Sequence, residues 1–152
     1  MEEGSGGIMT DLAFNGGMFG GQFGSQQFTM RNLSFFNTHT GIRQIWNWGW
    51  LYKSLSFYNC HIGIDLSSTE VASVNLIDSN FTNVEIAVIS GRNDTSGRGS
   101  FNTDNVYHEN VKTVLAKPDG TPLLLGNPNG KVYDGGSARV GFLLRNFNKM
   151  PN

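Results

Sequence analysis

Apolar and polar positions repeat along this chain at intervals close to 21 residues. The segment from Trp50 to Asp65 (WLYKSLSFYNCHIGID) has a counterpart in the segment from Phe28 to Arg43 (FTMRNLSFFNTHTGIR), with apolar, Asn, His and Gly positions in common. Each unit alternates apolar with polar residues and contains no apolar run at helical spacing, which predicts short strands joined by turns. Self-similarity at a fixed period is typical of a stacked-repeat architecture.

The length of the period separates the candidate folds. A repeat of about 21 residues is too short for a helix pair or a propeller blade, and it leaves leucine-rich repeats and β-helices. A horseshoe repeat needs a helix or 3₁₀ segment in each unit, and the pattern here indicates only strands and turns. We therefore predict an all-β fold, a right-handed single-stranded parallel β-helix of about five coils. No unit resembles a capping repeat, so we expect the chain to be truncated at both ends.

The repeat also predicts which side chains stack from coil to coil. The inward column is expected to contain Phe14, Phe35, Phe57, Leu76 and, more loosely, Val106. A column at a turn is expected to contain Asn37, Asn59 and Asp78, because Asn tolerates the left-handed backbone conformation. The polar stretch at about 90–100 predicts a loop inserted into one coil, and 126–152 is expected to be irregular. Residues 1–152 are thus interpreted as part of one β-helix domain.

The most unusual segment is Ile45 to Trp50, IWNWGW. In a strand, Trp46, Trp48 and Trp50 would share one face. Three inward indoles would overfill a narrow coil. Outward indoles would form an aromatic platform suited to the faces of sugar rings. Packing beneath a loop or against a neighbouring domain is an equal alternative.

Composition excludes several classes of partner and site. The net charge is −1 with 15% charged residues, so we predict binding neither to nucleic acid nor to a membrane surface. The single cysteine, Cys60, permits no internal disulfide or Cys-based metal site, and we expect a buried thiol. No stretch approaches the ~20 apolar residues of a membrane span, and MEEGSGGIM does not resemble a signal peptide. Sequons at Asn32, Asn80 and Asn93 give weak support for a secreted parent protein.

Few residues present an evident catalytic arrangement. His39 and His61 fall one period apart and could bind a metal, but without an evident third ligand a pair of surface or turn residues is favoured. We predict no metal and no cofactor. His108 lies in the region of the inserted coil. Glycoside hydrolysis needs two suitably spaced carboxylates, and spacing marks no pair among the candidates. These candidates are Asp11, Asp65, Asp78, Glu85 and Glu109.

Four motifs in order resemble a known family. They are EGSGGIMTDLAFNGG, GSQQFTMRNLSFFN, WNWGW and YNCHIGIDL. Together they resemble the first β-helix domain of the fungal exo-1,3-β-glucanases of glycoside hydrolase family 55, within the pectate lyase-like superfamily, over roughly residues 3 to 125. The resemblance implies a secreted, extracellular enzyme that removes glucose from the non-reducing end of β-1,3-glucan with inversion. Its site would lie between two tandem β-helices.

The resemblance also implies which residues contact substrate. The general acid of the family is a Glu of the second β-helix, so the catalytic residues are unknown here and the chain alone is predicted to be inactive. The implied partners are β-1,3-glucan and that second domain. The implied substrate-binding residues are Gln26, Gln27, Trp46, Asn47 and Trp48. The chain departs from the family in having Ser25 where Asn is usual.

Two other functions remain open at this point. One is a non-catalytic carbohydrate-binding or structural β-helix, which needs no acid. The other is a different β-helix polysaccharide enzyme, of the pectin lyase or polygalacturonase type. Such enzymes need Ca²⁺-binding Asp clusters or several Asp on one sheet, and the sequence shows neither.

Overall fold

The computed structural model describes residues 6–91, 101–134 and 138–140, with side chains up to residue 131. Within these ranges the chain forms strands and no helix, so no helix there could cross a membrane. The strands of the described ranges are β1 Ile8–Asn15, β2 Phe19–Ser25, β3 Phe28–Phe36, β4 Thr40–Asn47, β5 Trp50–Tyr58, β6 Ile62–Asp65, β7 Glu70–Val71, β8 Val74–Ile89, β9 Phe101–Ala116, β10 Pro122–Leu125, β11 Lys131–Asp134 and β12 Ala138–Val140.

The strands stack as the coils of a parallel β-helix. One face consists of β1, β3, β5 and the first halves of β8 and β9, each in parallel register with the next. A second face consists of β2, β4, β6 with β7, and the second halves of β8 and β9. The chain thus makes about four turns, slightly fewer coils than the sequence predicted. The predicted fold class is confirmed.

An aromatic stack fills the interior behind the first face. Phe14, Phe35, Phe57, Phe81 and His108 follow one another at ring-centroid distances of 4.9, 5.0, 4.7 and 5.3 Å, with planes within 8° of parallel. Offset-stacked aromatic pairs contribute about 0.5–1.5 kcal/mol each beyond the area they bury. The stack is therefore a continuous stabilising element through all the coils.

The predicted column was correct for its first three members and wrong for the other two. The register pairs Phe57 with Phe81, while Leu76 pairs with Tyr52. Val106 pairs with Ser79. Contacts between equivalent residues of successive coils span 21, 22, 24 and 27 residues, so the repeat lengthens along the chain. A constant period therefore fails after the third coil.

Glycines of the second face make room for the stack. A Cβ on Gly41 would lie 2.7 Å from the Phe57 ring and 2.8 Å from the carbonyl oxygen of Gly63. A Cβ on Gly20 would likewise lie 2.6 Å from the Phe35 ring and 2.6 Å from the carbonyl oxygen of Gly41. These close approaches explain the Gly that follows Phe14, Phe35 and Phe57, whereas Ala87 occupies the equivalent position after Phe81.

Two columns of left-handed residues turn the chain. One contains Gly16, Asn37, Asn59, Asn83 and Asn110, and in it each Asn side chain bonds to the Asn of the previous coil, with Asn37 bonding to Asn15. The other lies within the strands of the first face and contains Asp11, Asn32, Ser54, Asp78 and Asn105. Asp78 was predicted to lie in the same column as Asn59, and this was wrong because Asn83 takes that position. Asn and Asp suit both columns because their short polar side chains tolerate positive φ.

The free edge of β9 is covered by strands that run the other way. β10, β11 and β12 all pair with β9 in antiparallel orientation. Covering an edge in this manner satisfies its backbone groups and blocks further pairing. The sequence did not predict this arrangement, and β11 and β12 lie within 126–152, which was expected to be irregular. Of the expected loop at 90–100, residues 92–100 lie outside the described ranges.

Candidate functional site

The candidate site lies where the second face bends into the first. Two residues, Gln26 and Gln27, connect β2 to β3, and Trp48 and Gly49 connect β4 to β5. The flanking strands are in register on both sides of these bends, so Gln26 aligns with Trp48 and Gln27 aligns with Gly49. We call these four residues and Trp46 the tryptophan corner. The sequence placed Gln27 beside Trp48, one residue away from the observed alignment.

The three tryptophans lie in three different environments. Trp48 is 72% exposed, and Trp50 is buried at 1%. Trp46 is half-buried, and its indole lies where a side chain on Gly24 would be, 2.5 Å from an ideal Cβ. The prediction that all three share one strand face was wrong, because β4 ends at Asn47 and the chain bends at Trp48. Gly49 has φ of 137°, which glycine adopts without strain.

Buried hydrogen bonds hold the corner in place from below. The Asn47 side chain is fully buried, accepts from the Ala72 backbone N–H and donates to the Ser73 carbonyl at 2.9 Å. The Trp50 indole N–H donates to the Ser25 carbonyl at 3.0 Å. Each bond joins the bend to a neighbouring coil, so the bend is fixed on both sides. Asn47 as a sugar contact stays a prediction.

A second buried pair fixes Trp46. The Tyr52 hydroxyl donates to Gln44 Oε1, and Gln44 Nε2 donates to the Trp46 carbonyl at 2.7 Å. Burial raises the pKa of Tyr52, so its hydroxyl stays neutral and remains a donor. Trp50 meets the Tyr52 ring edge-on at a centroid distance of 5.9 Å. Sequence reasoning missed this support, although a Gln in an apolar strand was a usable signal.

The two glutamines differ in exposure. Gln26 is half-buried and Gln27 is exposed. Both lie in the bend and outside the strands, so the alternation expected of two strand residues does not apply. Amide groups donate and accept without titrating, and an amide beside an exposed indole can bind a sugar hydroxyl or a water molecule.

None of the five candidate carboxylates lies in this corner, and each contacts a polar partner. Asp11 accepts from Asn32 and Thr10, and these bonds, Asn32 first, lower its pKa. Asp65 accepts from the Ser67 backbone at 2.9 Å. The other three partners are Lys53 for Asp78, Lys112 and His61 for Glu85, and Lys131 for Glu109. A general acid requires a raised pKa, and the two resolved shifts among these groups are downward.

No cluster of three or more potential metal ligands occurs among the described residues. Cys60 is buried as predicted, with Sγ 3.2 Å from the Thr38 hydroxyl oxygen. A small apolar cavity of about 20 Å³ lies in the last coil, beside His108, with room for one water molecule. It is far too small for a sugar ring.

Comparison with known proteins agrees with the fold. Residues 1–65 match a family described as rhamnogalacturonase A/epimerase, pectate lyase-like. Over these residues the β-helix is similar to pectate lyase-like proteins. The chain is 38% identical over 145 residues, 91% of its length, to a probable glucan endo-1,3-beta-glucosidase of Arthroderma benhamiae. It is also 38% identical over 136 residues, 84% of its length, to a glucan 1,3-beta-glucosidase of Cochliobolus carbonum.

The resemblance predicted from the four motifs is therefore confirmed. The chain spans 16% and 17% of the length of those two relatives. A third relative, the non-secreted LysM effector LysM15 of Penicillium expansum, is 30% identical over 149 residues, which are 92% of this chain and 11% of that protein. Segments similar to this chain thus occur in proteins with different names.

Proposed function

We propose that this chain forms a glucan-binding wall of a β-1,3-glucan hydrolase, with the tryptophan corner in contact with the sugar. The observation that supports this most directly is Trp48, a large aromatic side chain that is 72% exposed on a bend held rigid by buried hydrogen bonds. The names of the two fungal relatives support β-1,3-glucan as the substrate class.

The proposed contact has a simple physical basis. The exposed indole offers an apolar face and an edge N–H, which suit the C–H face of a glucose ring and its hydroxyls. Gln26, one coil away at the same bend, supplies an amide beside that face. A preformed surface loses little conformational entropy on binding, and the bonds of Asn47 and Trp50 provide such preorganisation.

For the parent protein we propose exo-acting, inverting hydrolysis outside the cell, with the general acid supplied by a second β-helix. The partners of the five candidate carboxylates support an acid that comes from elsewhere. In an inverting site the two carboxyl groups lie about 6.5–9.5 Å apart with a water between them. Gln26 and Gln27 are suited to positioning such a water, because amides do not compete for its proton.

The binding proposal is tested by titrating laminari-oligosaccharides while recording tryptophan fluorescence. We expect a saturable change that is lost in Trp48→Ala and retained in Leu12→Ala, a matched removal of another exposed apolar side chain, 47% exposed. Cello-oligosaccharides and polygalacturonate serve as control sugars. No change at millimolar laminari-oligosaccharide, or an equal response to polygalacturonate, would contradict the proposal.

The catalytic proposal has a separate test. The chain alone is expected to release no glucose from laminarin, because loss of a general acid typically removes a factor of about 10²–10⁴ in rate. Glucose release that disappears in Glu85→Gln or Glu109→Gln would place the acid in this chain. Product analysis of the parent enzyme distinguishes exo from endo action, since exo action releases glucose from the first turnover.

A further inference from the structure

A row of exposed polar side chains crosses the turn from the first face to the second. Its members are His39, His61, Glu85 and Lys112. The residue that follows each of them pairs in parallel register with its counterpart in a neighbouring coil, so the four side chains line up. The His39 and His61 rings lie 4.7 Å apart between centroids and are tilted by 46°. His61 Nδ1 is 2.6 Å from Glu85 Oε2, and Glu85 Oε1 is 3.2 Å from Lys112 Nζ. Sequence spacing predicted the histidine pair but not its contact with Glu85.

These contacts determine which ring nitrogens are available. The Glu85 carboxylate lies between the Lys112 ammonium and His61 Nδ1, so it accepts a hydrogen bond from each. His39 Nδ1 lies 3.2 Å from the Thr40 hydroxyl oxygen, which can accept in the same way. Both rings then present an Nε2 lone pair. A carboxylate that accepts from the distal N–H is the usual support of a metal-binding histidine.

We propose that His39 and His61 bind one divalent transition-metal ion through their Nε2 atoms, with Glu85 positioning His61. A metal bonded to Nε2 at about 2.0–2.1 Å lies about 3.2 Å from the ring centroid. Two centroids 4.7 Å apart then subtend an angle of about 94° at the metal, between the octahedral and tetrahedral values. Both imidazoles are exposed, so small ring rotations complete the alignment.

The ligand type selects the class of metal. Imidazole suits Zn²⁺, Ni²⁺ and Cu²⁺, with Cu²⁺ bound most tightly, whereas Ca²⁺ and Mg²⁺ prefer oxygen ligands. Water fills the remaining positions, since no third protein ligand of the His, Cys, Asp or Glu type groups with the pair in the part of the chain that the structure describes. The bound ion would link two successive coils on the outside of the solenoid and stabilise the folded state.

The test is calorimetric titration of the untagged chain with CuCl₂ and ZnSO₄, together with thermal unfolding. The chain has three histidines, and the third, His108, is buried at 4% exposure and cannot compete. We expect one equivalent of metal, a raised melting temperature, tighter binding of Cu²⁺ than of Zn²⁺, and no effect of Mg²⁺ or Ca²⁺.

Variants assign the ligands and the positioning residue. His39→Asn and His61→Asn should each weaken binding at least tenfold, and the double variant should abolish it. Glu85→Gln should weaken binding about 10–100-fold with both ligands still present. Lys53→Gln, an exposed cation of the first face, is the matched control and should bind as the unmodified chain does. One-equivalent binding that persists in the double variant, or equal affinity for Mg²⁺, would overturn the proposal.

Discussion

Phe57 is the central ring of the aromatic stack, and its removal tests the packing of the whole solenoid. Its side chain is fully buried and stacks on Phe35 at 5.0 Å and on Phe81 at 4.7 Å. A buried Phe→Ala substitution costs about 3–5 kcal/mol, and two lost ring contacts of about 0.5–1.5 kcal/mol each favour the upper half of that range. We therefore expect Phe57→Ala to remove most of the stability of the chain.

The matched control is Phe36→Ala, which removes the neighbouring ring on the outer side. Phe36 is half-buried and, among the residues that the structure describes, stacks on Tyr58 alone, at 5.1 Å, so we expect a loss of about 1–2 kcal/mol. Urea unfolding followed by circular dichroism measures both. If Phe57→Ala does not fold, Phe57→Leu should still fold and lose less than about 1.5 kcal/mol. Equal losses for Phe57→Ala and Phe36→Ala would refute the interior stack.

Three further predictions follow from the same coils. Burial lowers the pKa of His108 to about 4. As the pH falls below the ordinary His pKa of about 6.5, the unfolded chain takes up a proton on this residue before the folded chain does. The free energy of unfolding should therefore fall by about 2–3 kcal/mol between pH 7 and pH 4.5. His108→Phe should flatten that loss in urea titrations at the two pH values, and an unchanged slope would contradict the assignment. Ser54 has φ of 55° in a column otherwise made of Asp and Asn. Ser54→Asn should add about 0.5–1.5 kcal/mol by completing that column of side-chain hydrogen bonds. Differential scanning calorimetry measures the gain, and Ser56→Asn, in the same strand but without positive φ, is the control. Gly41→Ala should cost about 1–3 kcal/mol, because the added methyl group overpacks the interior against the Phe57 ring. The cost should be smaller in a chain that also carries Phe57→Leu. Strict additivity in this double-mutant cycle would show that the two positions are independent.

The repeat could be predicted because the first coils have nearly the same length, 21 and 22 residues. Phe14, Phe35 and Phe57 align by eye, and the strand type follows from alternation. The prediction failed at the next coil, where Leu76 and Phe81 are both inward residues of one long strand. The two residues are five positions apart, and strict alternation would place them on opposite faces. Both are buried because Asp78, with φ of 50°, interrupts the alternation between them. Hydrogen bonds between coils decide the register, and a single sequence does not reveal them.

The relative positions of the candidate site residues were predicted only in part. Gln26 and Trp48 do lie at one corner, but the tryptophan segment was treated as a continuous strand. Gly49, whose φ of 137° breaks it, was the available signal. The buried roles of Asn47 and Trp50 depend on carbonyl groups of neighbouring coils, which no local pattern encodes.

The lengthening of the repeat is confined to one side of the solenoid. Arg43 and Trp46 align with Asp65 and Glu70, so that two residues were added between these positions in the following coil. Further residues were added between Ile89 and Phe101, relative to the coil before. Both additions come later in the chain than the tryptophan corner, and the interior stack continues unchanged through Phe81 and His108. This side of the solenoid therefore accepts additional residues while the interior stack persists, which makes it a suitable place to graft new loops.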